Sequence, residues 1–268
     1  MPPETIIRSR QNPIYKQLRS LLRRDRRHQE RAFLVEGPRF IADAQRFGAF
    51  PDVLVLSESF ADSLDVAPEV LHAARIFGDE LFSSISDTVT SQGMIGVFPF
   101  PEFAPSADGV PFLLVVDGIQ DPGNLGTLIR SAAAAGVTRV IALPGTADPW
   151  SPKTVRAATA AHFLIPIDTL SFESFVELLP NGISVVAADA SGATRYDEAN
   201  LRGPLALVVG SEGSGLSGEL QEMAGQLVSI PLANSVESLN AGVAGSILLF
   251  EASRQRRESG KSSQKPNV

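Results

Sequence analysis

Residues 112–137, Phe112 to Val137, read FLLVVDGIQDPGNLGTLIRSAAAAGV. Phe112–Val116 is a short apolar, β-branched run without polar alternation, the pattern of a strand buried on both faces. Asp117-Gly118 and Asp121-Pro122-Gly123 then supply turn residues. From Leu125 onward, Leu128, Ile129, Ala132 and Ala135 recur at helical spacing, and Gly136 is placed to stop the helix. The stretch is a strand, a loop, and a helix whose N-terminus faces the loop. Free backbone N–H groups and a partial positive charge at such a junction favour polar or anionic ligands. Asn124 sits where the loop becomes helix, and Arg130 lies nearly two turns further on. Taken alone, they read as an N-cap and a solvated helix residue.

Downstream, strands and helices alternate, which predicts an α/β fold with a mostly parallel sheet covered on both faces. Arg139–Leu143 is the next strand. A helix near Pro152–Ala160, the apolar segment Phe163–Pro166, a helix over Phe172–Leu179 and the strand Ser184–Ala188 follow. Leu205–Val209 is another buried-strand run, and it opens into Gly210-Ser211-Glu212-Gly213-Ser214-Gly215-Leu216-Ser217. Glycines at this density let backbone approach a ligand closely, and loops after buried parallel strands are where α/β folds bind ligands. The loop lacks the Gly-Lys-Ser/Thr of a Walker A motif and the G-x-S-x-G of a nucleophile elbow. Leu227–Ile230 is the last strand. After the loop Pro231–Glu237, Ser238-Leu239-Asn240 opens a helix to about Arg257. Gly242, Ala244, Gly245 and Ser246 give that helix a small-residue face, suited to packing within the core or across a subunit interface. The tail, residues 259–268, is polar and reads as disordered.

Upstream, the charge distribution is uneven. The chain carries a net charge of −7, yet nine of its 23 Lys and Arg fall in the first 31 residues, Arg19, Arg23, Arg24, Arg26 and Arg27 among them. So dense a cluster reads either as a solvated helix surface or, as favoured in an otherwise acidic chain, as a polyanion contact, here nucleic acid. Leu18, Leu21 and Leu22 are spaced for one helix face beneath it. Phe33–Val35 reads as a strand running into the turn Glu36-Gly37-Pro38, followed by a helix over Arg39–Phe47 and a strand at Val53–Leu56. Val70–Ala74, Ile76, a helix around Glu80–Ser84 and a strand at Ile95–Phe98 complete a small α/β module. Pro99, Pro101 and Pro105 then lead into small polar residues, which places a linker at 105–109 between an N-terminal domain (1–104) and a C-terminal one (110–258). The chain has no cysteine, which argues against disulfides and thiolate metal sites and fits a reducing compartment. His162 is far in sequence from the other two histidines and reads as structural, so no metal is expected. No apolar run approaches a membrane span and the N-terminus is no signal peptide, so the expected setting is the cytoplasm.

Three segments together resemble one family. Gly123-Asn124-Leu125-Gly126…Ile129-Arg130, Gly210-Ser211-Glu212-Gly213…Gly215-Leu216-Ser217 and Ile230-Pro231-Leu232…Ser238-Leu239-Asn240 are similar, in this order and spacing, to the three motifs of the SpoU (TrmH-like) RNA ribose 2′-O-methyltransferases of the SPOUT superfamily. The resemblance covers Phe112 to about Arg257. It extends more loosely to the N-terminal module, similar to the family's substrate-binding domain through Phe33–Gly37 and Ser91-Gln92-Gly93. It implies a C-terminal trefoil knot, S-adenosylmethionine as cofactor, an RNA substrate and a homodimer. General topology rules would argue against a knot. By position, the resemblance implies that Gly210, Ile230, Leu232 and Leu239 hold the cofactor. Asn124, Arg130, Glu212, Ser238 and Asn240 match the family's reaction centre. The small residues Ala241-Gly242 after Asn240 are a departure in the flank only. Ribosomal RNA, with the large subunit favoured, is the implied substrate.

Rival readings fare less well. A Rossmann-type methyltransferase or dehydrogenase wants an acidic residue ending the second strand, and Leu143-Pro144-Gly145 has none. The same chemistry on tRNA, or a catalytically silent RNA-binding ribosome-assembly factor, remains as an alternative. The silent factor would have lost Asn124, Arg130 or the Ser238-Leu239-Asn240 turn. For Arg130 two roles stay open. Arginine stays protonated to a pKa above ~12, so it would have to be driven to act as a base. As a charged clamp on the substrate's phosphate it requires no extreme shift.

Overall fold

The computed structural model describes residues 6–63, 67–88, 90–104, 110–213, 215–234 and 236–262. The expected linker 105–109 and residues 263–268 of the expected tail lie outside them. The chain divides into two compact units, Met1–Glu102 with Trp150–Phe163, and Phe103–Pro149 with Leu164–Val268.

The first unit contains α1 (Pro13–Ser20), α2 (Arg24–Glu30), β1 (Ala32–Glu36), α3 (Pro38–Arg46), β2 (Val53–Ser57), α4 (Glu58–Ala61), α5 (Pro68–Ala73), β3 (Arg75–Phe77), α6 (Asp79–Ser83) and β4 (Met94–Pro99). Its sheet runs in the order β1-β4-β2-β3, antiparallel except for the β2/β3 pair. Leu18 and Leu21 are fully buried with Phe77 and Phe82 in its core, so the arginine-rich segment is anchored by its leucines. The segment is two short helices rather than one, because α1 ends at Ser20 with Leu21 as its C-cap and the chain is extended at Arg23 before α2 begins.

The segment Trp150–Phe163 also folds here, although its position in the chain suggests the C-terminal domain. It forms α8 (Pro152–Ala158) and a 3₁₀ turn (Thr159–Phe163). Trp150 stacks on Phe100 with ring centroids 4.0 Å apart, and Phe163 lies 5.1 Å from Phe98. His162 is completely buried, 5.1 Å from the Trp150 ring, in keeping with a structural role. Such a cluster gains its apolar burial across a long chain separation, which local periodicity does not register.

The second unit is built on β5 (Phe112–Asp117), α7 (Pro122–Ala135), β6 (Arg139–Ala142), β7 (Ile167–Thr169), α9 (Phe172–Leu178), β8 (Ser184–Ala188), β9 (Thr194–Arg195), β10 (Leu205–Gly210), α10 (Gly218–Met223), β11 (Gln226–Ser229) and α11 (Ala241–Ser262). Its sheet has the order β7-β6-β5-β10-β8-β11-β9, and every pair is parallel. β5 is buried along its whole length between β6 and β10, as its unbroken apolar run requires. β7 starts at Ile167, just after the apolar segment Phe163–Pro166.

Two helix boundaries differ from the sequence expectation. α7 begins at Pro122, and Asp121 is its N-cap, its Oδ1 accepting from the Asn124 amide at 2.9 Å. Asn124 is therefore not the cap, and its side chain is free for other work. Gly136 does end the helix, at φ 84°. α11 runs on to Ser262, so residues 259–262 are helical rather than disordered.

The small-residue face of α11 is internal to the chain. Ser246 and Ser131 of α7 share a hydrogen bond of 2.7 Å. A Cβ built on Gly245 would overlap Leu128 of α7 and lie 3.1 Å from Val209 of β10. Gly242, Gly245 and Ser246 thus seat α11 on α7 and β10 of the same chain.

Candidate active site

Three junctions at the C-terminal end of the parallel sheet converge: β5 into α7, β10 into its glycine loop, and the loop before α11. Asn124 donates from Nδ2 to Glu212 Oε1 at 2.8 Å, and Asn240 donates from Nδ2 to Asn124 Oδ1 at 2.8 Å. Asn240 Nδ2 also reaches Glu212 Oε1 at 3.0 Å, and the Ala241 amide donates to the same oxygen at 2.9 Å. Asn240 Oδ1 accepts from the Val243 amide at 3.2 Å, which caps α11. One carboxylate oxygen thus gathers donors from two motifs and a helix N-terminus, where negative charge is favoured. The network locks the three segments in register.

The glycine loop is held shut at its neck. Ser211 and Gly215 exchange two backbone hydrogen bonds, 2.9 and 3.0 Å, and Asp117 Oδ2 accepts from the Ser217 amide at 2.7 Å. A Cβ on Gly210 would stand 2.5 Å from the Gly215 carbonyl oxygen. Glycine is required there by the loop's own backbone, before any ligand is considered. Asp117, buried at the end of β5, escaped the sequence reading because a carboxylate in an Asp-Gly turn looks like turn chemistry alone.

Beside this loop lies an open cavity of about 260 Å³. Gly210, Ile230, Leu232 and Leu239, the four positions matched to cofactor binding, all line it, as do Glu212 and Ser238. Val209, Ile230 and Leu239 supply apolar wall, while the charged groups on it, Glu212 and Asp189, are both acidic. A ligand with a flat apolar base, polar hydroxyls and a sulfonium cation suits such a lining. S-adenosylmethionine fits that description. Asp189 and its neighbours Ala188 and Ala190 carry no motif and were not anticipated.

Arg130 lies on an exposed part of α7, and its side chain makes no hydrogen bond or ion pair among the described residues. The network of Asn124, Glu212 and Asn240 does not include it. Ser238 is exposed on the cavity rim. In the first unit, the arginines matched to RNA differ among themselves. Arg24 is exposed and makes no side-chain hydrogen bond or ion pair among the described residues, and Arg19 is exposed while donating to the Ser84 carbonyl at 3.2 Å. Arg26 donates to Gln29, and Arg23 pairs with Asp25, whose carboxyl it holds below the usual range. Arg27 corrects the expectation. It is 3% exposed and donates to the Leu21 carbonyl at 2.8 Å, so it braces α2 rather than facing a polyanion.

Known proteins place this arrangement. Residues 111–250 match the SpoU rRNA Methylase family, and residues 12–96 match an MRM3-like substrate binding domain. The chain is 33% identical to the 23S rRNA (guanosine(2553)-2′-O)-methyltransferase RlmP of Bacillus subtilis, over 91% of this chain and 97% of that protein. It is 32% identical to the human rRNA methyltransferase 3, mitochondrial, over 86% of this chain and 69% of that one. Among solved structures, an AdoMet-bound rRNA methyltransferase from Sinorhizobium meliloti superposes with a TM-score of 0.78 at 32% identity, covering 93% of this chain and 97% of that one.

Proposed function

The chain belongs to the SpoU rRNA methylase family, and from that premise we propose that it transfers a methyl group from S-adenosylmethionine to a ribose 2′-hydroxyl of ribosomal RNA. The observation that carries this reading is the Asn124–Glu212–Asn240 network beside a cavity that all four matched cofactor positions line. The cofactor, when bound, supplies an electrophilic methyl on a sulfonium. Gly210 and the apolar wall bind it, and the network fixes the loops that shape its site. Arg130 presents an unpaired guanidinium, suited to clamp a phosphate of the substrate and to stabilise negative charge gathering on the attacking oxygen. The clamp asks of arginine only its ordinary charge, and we prefer it to a base.

The exposed arginines Arg19, Arg23, Arg24 and Arg26 in the first unit are proposed to hold the RNA, with the large-subunit RNA favoured. A trefoil knot is proposed for the second unit. It is supported by the order β5-β10-β8-β11, in which β10 lies between two strands that precede it in the chain. A homodimer is proposed through the outward face of α11. Val243 and Phe250 are each 46% exposed and Ile247 is half-buried, a spacing of four and three residues that aligns them on one helix face. A cytoplasmic setting is proposed with it, supported by the absence of cysteine. No helix among the described residues is long and apolar enough to cross a membrane.

The test is methyl transfer itself. Purified protein with labelled S-adenosylmethionine and ribosomal RNA should yield one 2′-O-methylated nucleotide, mapped by resistance to alkaline cleavage. Label incorporated into a base, or none into any RNA or ribosomal particle, would refute the reading.

A further inference from the structure

Methyl transfer as described leaves one acidic group in the cavity wall without a task. Asp189 follows β8 where strand becomes loop, and it is held there by several contacts. Its amide donates to the Val228 carbonyl of β11 at 3.0 Å, and its own carbonyl accepts from the Gly192 amide at 3.1 Å. Its Oδ1 accepts from both the amide and the hydroxyl of Ser191, at 2.7 and 2.6 Å. Gly192 lies so close over β11 that a Cβ there would come within 2.8 Å of the Val228 carbonyl carbon and 2.9 Å of Leu227 backbone atoms. The turn 189–192 is therefore stapled to the sheet, and the carboxylate is oriented before any ligand arrives.

The second oxygen is different. Oδ2 accepts no hydrogen bond among the described residues, although Asp189 is half-buried and lines the cavity. A carboxylate has acceptor capacity on both oxygens, and a half-buried one with an oxygen left over is placed to receive donors from a ligand. Glu212, the other acid on the wall, already gathers three donors on Oε1.

S-adenosylmethionine offers three kinds of donor: the vicinal ribose hydroxyls, the α-amino group of its methionine part and the exocyclic amino group of adenine. Strand order chooses among them. β10 carries the glycine loop, and β8 is its direct neighbour in the parallel sheet. In dinucleotide folds the glycine loop follows one strand, and a carboxylate associated with the neighbouring strand takes the ribose hydroxyls. The acid missing after β6 is found after β8. We propose that Asp189 recognises the ribose of the cofactor, Oδ2 accepting from its vicinal hydroxyls. The assignment rests on the cavity being the cofactor site.

Calorimetry on the full chain tests it without turnover, using S-adenosylhomocysteine, 5′-methylthioadenosine and an S-adenosylhomocysteine analogue lacking both ribose hydroxyls. Asp189→Ala should weaken S-adenosylhomocysteine roughly tenfold. It should weaken 5′-methylthioadenosine, which keeps the diol and lacks the amino acid, by the same factor. The analogue without hydroxyls should bind wild type and variant alike. Asp189→Asn guards against a merely collapsed turn: its Oδ1 can keep both Ser191 bonds while an amide donor replaces the free acceptor. It should melt like wild type and still lose affinity several-fold. A loss confined to S-adenosylhomocysteine would assign Asp189 to the α-amino group and overturn the proposal, as would wild-type affinity in Asp189→Asn. A wild-type protein that binds neither natural ligand would overturn the cofactor reading itself, a distinct failure.

Discussion

At the residue scale the proposed chemistry concentrates on Arg130, whose side chain makes no hydrogen bond or ion pair among the described residues. Arg130→Ala should lower turnover roughly 10²–10³-fold, the magnitude of losing one preorganised charge-stabilising donor. S-adenosylmethionine affinity should change little, since Arg130 is not among the cavity's lining residues. Arg130→Lys separates clamp from base: lysine keeps the charge, loses the planar fork and deprotonates more readily. Partial rescue that is flat in pH supports the clamp, rescue that rises through lysine's titration supports a base, and an Arg130→Ala enzyme of normal rate removes both. Site residues were legible in the sequence to the extent that they sit in motifs. Asn124, Glu212 and Asn240 do converge within hydrogen-bonding distance. What was not legible is how they divide their work. Asn124 reads in the sequence as an N-cap, yet both of its side-chain groups engage Glu212 and Asn240. Asp121 took the capping role instead. Asp117 meets the Ser217 amide a hundred residues on, and Asp189 reaches the cavity wall because β8 pairs with β10; no local pattern announces either placement.

At the scale of elements, α11 separates what spacing reveals from what it does not. The small residues Gly242, Gly245 and Ser246 were visible as a close-packing face, but a sequence cannot say which partner that face meets. The structure gives it to α7 and β10, through Leu128 and Val209. Gly245→Val should therefore lower stability by roughly 1–3 kcal/mol in urea unfolding, the usual cost of forcing extra methyl groups into a filled core. A variant as stable as wild type would mean that α11 sits elsewhere. Self-association is predicted to depend on the opposite face. Phe250→Glu places a charge on the exposed stripe with Val243 and should yield monomers in sedimentation at micromolar concentration, with an unchanged melting temperature for the monomer fold. Dimers that survive Phe250→Glu combined with Val243→Glu would exclude this face. The parallel strands themselves were legible because burial on both faces demands continuous apolar runs. β9, two residues long, was not, since it exists only by pairing with β11.

For the whole molecule, the proposed division of labour between the two units sets the remaining expectation. Deleting the N-terminal residues to isolate a catalytic unit would strand Trp150–Phe163, whose aromatic contacts to Phe33, Phe98 and Phe100 lie in the first unit. Surface charge is the safer handle. Arg19, Arg24 and Arg26 are exposed and their side chains are joined at most to neutral groups, so replacing all three with glutamine disturbs little packing. Arg23, salt-bridged to Asp25 in the open, adds a fourth cation whose pair is worth little in water. Each phosphate neutralised releases counterions, contributing about 0.7 to the slope of log affinity against log salt for single-stranded nucleic acid. The triple variant should therefore bind ribosomal RNA more weakly and with a slope shallower by about two. Its affinity for S-adenosylhomocysteine should be unchanged, because the cavity belongs to the second unit. Arg27→Gln is the internal control. It removes a buried brace to the Leu21 carbonyl and should lower the melting temperature without a matching change in salt slope. An unaltered slope in the triple variant would place the RNA on another surface, whereas parallel losses of RNA and cofactor binding would mean that the two functions are not divided between the units at all.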